Sequence, residues 1–128
     1  TCTTKEQSKR LLALGLKKET ADMVHSRIVV LDELVDLISE YPWTTTQEVT
    51  DYWYPAWSLN RLIEMMPLDV IIEVGFDNCF TLIKNYPKGY SVEYDGFSYY
   101  HKENIYDTII DGIEHLINEG YFNKEYLV

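Results

Sequence analysis

Cysteine is scarce in this 128-residue sequence. Cys2 and Cys79 form neither a CxxC pair nor the framework of a disulfide-stapled secreted domain, which points to a reducing compartment. Basic residues are few as well, with 11 Lys and Arg against 21 Asp and Glu and a formal charge of −10. Such a surface repels phosphate, so DNA, RNA and anionic lipid are disfavoured as general partners. A basic protein partner is the complement this charge favours, and mimicry of nucleic-acid charge is a further option. No apolar run is long enough to cross a bilayer. The polar stretch 1–7 lacks the apolar segment of a secretory signal, so the expected location is cytoplasmic. Glycine-rich phosphate loops, GxSxG elbows and HExxH helices are missing, and no residue pattern implies a cofactor.

What is present has the balance of a folded protein: 46% hydrophobic and 25% charged residues, with 11 Tyr, 3 Trp and 4 Phe. The length fits a single domain. Charge is uneven along it, residues 1–64 carrying 7 basic and 10 acidic side chains and residues 65–128 carrying 4 and 11.

Residues 1–67 read as mainly helical. Thr4-Lys5-Glu6-Gln7 is a capping box, and Gly15 is placed to end the helix it opens. A second short helix is expected over about Lys18–Val24. Ile28-Val29-Val30 has strand character, but Leu31, Leu34, Val35, Ile38 and Tyr41 follow at one helical face, so a helix is expected over 31–41, stopped by Pro42. Ser58 is an N-cap for a helix running to Met66, with Trp57 poised to staple onto Leu62.

From residue 68 the period becomes two. Val70–Val74, Cys79–Lys84 and Tyr90–Tyr94 read as strands, and Asp95-Gly96 signals a two-residue turn that sets Val92 opposite Tyr99 and Tyr90 opposite His101. One hairpin face is then apolar and aromatic, while Ser91, Glu93, Ser98 and Tyr100 share the other. Asn104 caps a covering helix lined by Ile109, Gly112, Ile113 and Leu116 and ended by Gly120, after which residues 121–128 trail off. Gly112 is disfavoured in a helix by about 1 kcal/mol, so close contact with the sheet is expected there. The expected fold is α+β: N-terminal helices, an antiparallel meander of three or four strands, and a long C-terminal helix on one sheet face. The second half resembles double-stranded-RNA-binding domains in topology only, since their basic contacts have no counterpart in this acidic half.

Two constellations carry candidate chemistry. Asp107, Asp111 and His115 repeat every fourth residue along the last helix, so a divalent metal or acid–base pair is conceivable there. The stripe lies opposite the apolar face, however, where solvated charge is the favoured reading. Tyr52, Trp53, Tyr54 and Trp57 form the candidate binding segment, since exposed Trp and Tyr anchor partners or stack ligands; burial against the core is the favoured reading, because Trp57 already serves as the staple. Cys79 reads as a small core residue, and His101 as a surface histidine.

Several pieces of the sequence resemble small uncharacterised proteins of gut Bacteroidetes genomes, often found in prophage or conjugative-element surroundings. They are Thr4-Lys5-Glu6-Gln7-Ser8 with Gly15-Leu16, Pro55-Ala56-Trp57-Ser58-Leu59 running to Met66-Pro67, Tyr86-Pro87-Lys88-Gly89-Tyr90, and Ile113-Glu114-His115-Leu116-Ile117-Asn118. The resemblance implies a bacterial cytoplasm and a mobile-element setting, and carries no catalytic residues. The functional expectation is a non-enzymatic interaction or regulatory protein. The alternative is a small-molecule binder or enzyme with a pocket near the Trp57 loop.

Overall fold

The computed structural model describes the backbone of residues 1–67, 69–73, 76–85, 88–94 and 99–128, and the side chains of 1–67, 80–85, 88–93 and 102–128. The chain is mixed α+β and forms two compact units: Thr1–Ile63 with Glu125–Val128, and Glu64–Lys124.

The first unit opens with helix α1 (Lys5–Ala13). The expected capping box is formed: Gln7 N–H donates to Thr4 Oγ1 (3.1 Å), and Thr4 N–H donates to Gln7 Oε1 (2.9 Å). Gly15, at φ 105°, ends it. Its N–H donates to the Leu12 carbonyl and that of Leu16 to Leu11, the paired bonds of a Schellman turn. A single 3₁₀ turn, Lys18–Thr20, replaces the second helix expected through Val24.

The helix expected over 31–41 is instead half of a β-hairpin. Strand β1 (Met23–Val30) pairs antiparallel with β2 (Glu33–Glu40), Val30 lying opposite Glu33 and Met23 opposite Glu40. Leu31 and Asp32 make the turn with φ of 51° and 63°, the two left-handed residues a type I′ turn requires. The helical spacing of Leu31, Leu34 and Ile38 misleads because periodicity locates a buried face, and these three side chains are exposed. Strand β3 (Trp53–Ala56) adds to the other edge of β1, giving the order β2-β1-β3. Residues 1–67 thus contain a three-stranded sheet and are not mainly helical. The C-terminal residues do not trail off: Leu127 bridges Leu16, and Val128 N–H donates to the Gly15 carbonyl (2.8 Å).

Helix α2 (Leu59–Met65) straddles the boundary of the units. Ser58 caps it as expected, its Oγ accepting from Arg61 N–H at 3.1 Å. In the second unit β4 (Asp69–Glu73), β5 (Phe76–Lys84), β6 (Tyr90–Tyr94) and β7 (Tyr99–Lys102) form an antiparallel meander in that order. The β6–β7 register sets Val92 opposite Tyr100 and Tyr90 opposite Lys102, one residue from the pairing a two-residue loop would give. A one-residue shift exchanges the faces of a strand. The Asp95-Gly96 turn and Gly75 lie outside the described residues. Ser91, expected on an open face, is fully buried and accepts from the Asn85 side-chain amide.

Helix α3 (Ile105–Glu119) begins at Asn104, whose Oδ1 accepts from the N–H of Tyr106 and Asp107, and closes at left-handed Gly120. Ile109, Ile110, Ile113 and Leu116 are its buried face, in contact with β6 and β7. Gly112 lies close against the sheet: a Cβ there would sit 3.1 Å from Val92 Cγ1.

Candidate functional site

The aromatic segment singled out in the sequence is divided by the strand that contains it. Trp57 is wholly buried. Its indole N–H donates to Thr20 Oγ1 (2.9 Å), its backbone N–H to Thr3 Oγ1 (3.0 Å), and its carbonyl accepts from Thr3 N–H (2.9 Å). Tyr54 is also buried, and burial followed by the nearby Asp51 carboxylate pushes its phenol up from the ordinary value. Trp53 is half-buried, edge-on to Tyr41 with ring centroids 4.9 Å apart. Only Tyr52 of the four stands open, at 58% exposure. Trp57 and Tyr54 therefore belong to the core, and Tyr52 and Trp53 border the surface.

On α3, Asp107, Asp111 and His115 are half-buried, less solvated than their position opposite the isoleucines implied. Asp111 lies 3.7 Å from Lys102 Nζ, so an ammonium stands beside its carboxylate. Among the described residues no group of His, Cys, Asp and Glu converges as a metal site. The side chains of Cys79 and His101 lie outside the described residues.

A pair the sequence did not connect is Cys2 and His25. Cys2 bridges Ser58 and is half-buried. Its Sγ lies 3.8 Å from His25 Nε2, which is itself 2.7 Å from the Thr3 carbonyl. A carbonyl oxygen only accepts, so Nε2 carries the ring proton and cannot take one from the thiol. Burial also pushes the Cys2 thiol up. Burial thus opposes the thiolate and His25 Nε2 offers no base to generate it, the reverse of what a nucleophile needs.

A cleft of about 720 Å³ opens beside Trp43, with Glu19, Asp22, Glu40, Tyr41 and Arg61 in its walls. Much of its polar lining is committed to the fold. Asp22 accepts twice from Ser58, Arg61 Nε donates to the Thr20 carbonyl (2.8 Å), and Trp43 Nε1 donates to the Met23 carbonyl (2.9 Å). Trp57 does not line it.

The feature with the least structural explanation is the far half of the β1–β2 hairpin. At its base Val24 and Ser26 are buried; from Arg27 onward every β1 residue is exposed, as is almost all of β2. Leu31 is 94% exposed, Val29 67% and Leu34 60%, with Ile28, Val30, Leu37 and Ile38 also open. The register sorts these side chains by face. Ile28 and Val30 lie opposite Val35 and Glu33 on one face; Val29 lies opposite Leu34, and Arg27 opposite Asp36, on the other. Arg27 Nε donates to Asp36 Oδ1 at 2.9 Å, a cross-strand pair open to solvent and so a modest contribution. Apolar residues thus occur on both faces of a two-stranded arm. Such a ribbon is marginal in water by itself, and contiguous exposed apolar surface marks interaction sites. The β-branched run Ile28-Val29-Val30 was the sequence signal for this arm.

Among the described residues no helix is long and apolar enough to cross a membrane. Comparison with protein-family models, curated proteins and solved structures finds no match for this chain.

Proposed function

We propose that this chain is a non-enzymatic interaction protein and that the β1–β2 arm is its contact element. One observation carries the reading: from residue 27 to residue 38 the hairpin exposes Ile28, Val29, Val30, Leu31, Leu34, Leu37 and Ile38 while Val24 and Ser26 at its base are buried. Burying a single such side chain stabilises by about 1.5–3 kcal/mol. Leaving several uncovered has no rationale in the fold of the chain itself and a clear one in a complex. The acidic surface disfavours a nucleic-acid or anionic-lipid partner and favours a basic protein.

The test compares the wild-type chain with a Val29→Lys/Leu34→Lys variant as baits in native lysate. Both substitutions lie at exposed sites but directly opposite each other, so the paired lysines should cost up to about 1 kcal/mol of stability and still leave the chain folded, which urea denaturation checks. A protein retained by the wild type and lost by the variant supports the arm; identical capture by both baits refutes it.

A further inference from the structure

The backbone of the arm narrows the kind of partner, provided that the arm is the contact element. Strand β2 is the outer strand of its sheet and has no strand on its free edge among the described residues. Two backbone hydrogen bonds fix its alternation. Tyr41 N–H donates to the Asp22 carbonyl, so residues in phase with Tyr41 (Glu33, Val35, Leu37, Ser39) bond inward to β1. Arg27 N–H turns away from β2 to the Tyr52 carbonyl, so its opposite number Asp36 lies in the outward phase. Leu34, Asp36, Ile38 and Glu40 therefore present their N–H and C=O groups along the free edge. Such an edge is a template for another strand.

We infer that β2 takes up a β-strand from a basic partner, whose side chains alternate between apolar residues and Lys or Arg. Charge sets this choice. The stretch Arg27–Glu40 holds one basic side chain against Asp32, Glu33, Asp36 and Glu40. A second copy of this chain would set the same acidic excess against itself, in a molecule already at −10. On the outward-phase face β2 reads Leu34, Asp36, Ile38, Glu40, so the complementary strand reads apolar, basic, apolar, basic at every second residue. Opposite Glu33, Val35, Leu37 and Ser39 its other face reads basic, apolar, apolar, polar. Main-chain bonds supply the affinity and this alternation the selectivity.

The probe is a labelled peptide, KTVIRVVK, which carries that pattern antiparallel to β2, measured by fluorescence anisotropy against the whole chain. The controls are ETVIEVVE and a KTVIRVVK peptide N-methylated at the amides that would face β2. The expected result is binding by the basic peptide, weakened at least about tenfold by the acidic side chains, by N-methylation, and by Ile38→Pro, which removes an outward donor without touching the β1–β2 ladder. The N-methyl peptide keeps the test decisive if Ile38→Pro fails to fold. Failure of KTVIRVVK to bind overturns strand addition, as does equal binding of the acidic or N-methylated peptide, or a dimer in sedimentation that Ile38→Pro dissolves. If the Val29→Lys/Leu34→Lys bait still loses its partner in those cases, the arm remains the contact element and only the strand-addition mode falls. If that bait changes nothing, the arm falls too.

Discussion

Asp22 accepts both the backbone N–H of Ser58 (2.8 Å) and its hydroxyl (2.5 Å), so a carboxylate at the entry to β1 closes the first turn of α2 from outside the helix. Ser58 Oγ in turn accepts from Arg61, and the two residues form one capping unit across 36 positions of sequence. Replacing Asp22 with Ala leaves the Ser58 donors without this acceptor, an expected loss of about 1–3 kcal/mol in urea denaturation. Asp22→Asn keeps an acceptor for the backbone N–H and should cost less. Equal stability of all three proteins would show that the pair contributes nothing.

The contact of Gly112 with Val92 admits no larger side chain without movement. Gly112→Leu should destabilise by about 1–3 kcal/mol, despite the better helix propensity of leucine. Combining it with Val92→Ala should recover part of the loss, and a double-mutant cycle measures the coupling. Strict additivity would place the strain elsewhere.

Tyr54 predicts alkaline sensitivity. Its phenol is raised by burial and then by Asp51, so the folded chain holds the proton more tightly than the unfolded one. That contribution is complete below the ordinary phenol value of 10.0 and declines as pH rises through and above it. Unfolding midpoints of wild type should therefore fall more steeply than those of Tyr54→Phe on crossing about pH 10. Parallel curves would refute the assignment.

Cys2 should alkylate more slowly in the folded chain than in the urea-unfolded chain at neutral pH, because burial keeps it as a thiol. Peptide mapping by mass spectrometry separates it from Cys79. Faster reaction in the folded state would contradict a thiol held up by burial.

The features legible in the sequence were the local ones. The box at Thr4, the glycine stop at Gly15, the caps at Ser58 and Asn104, and the strand over Tyr90–Tyr94 depend on residues close in sequence, and each formed where expected. The hairpin at 23–40 is hidden in the sequence because Leu31-Asp32 lacks the Asn-Gly or Asp-Gly signature of its turn. Its leucines and isoleucine also fall at helical spacing while facing solvent. The candidate site was missed for the same reason, since apolar residues in a sequence imply burial. Trp57 and Thr20 lie 37 positions apart, a separation no local pattern encodes.

At the tip of the arm, Leu31 sits left-handed, a conformation that costs a residue with a Cβ about 1–2 kcal/mol, and its almost wholly exposed side chain returns little by burial. The ribbon is therefore closed for less of the time than an ideal turn would keep it closed. Whatever engages its ladder has an apparent affinity scaled by that closed fraction. Asparagine and glycine at positions 31 and 32 would raise the fraction while leaving β1 and β2 unchanged. On the proposed function, the turn is a remote dial on affinity, set below its maximum.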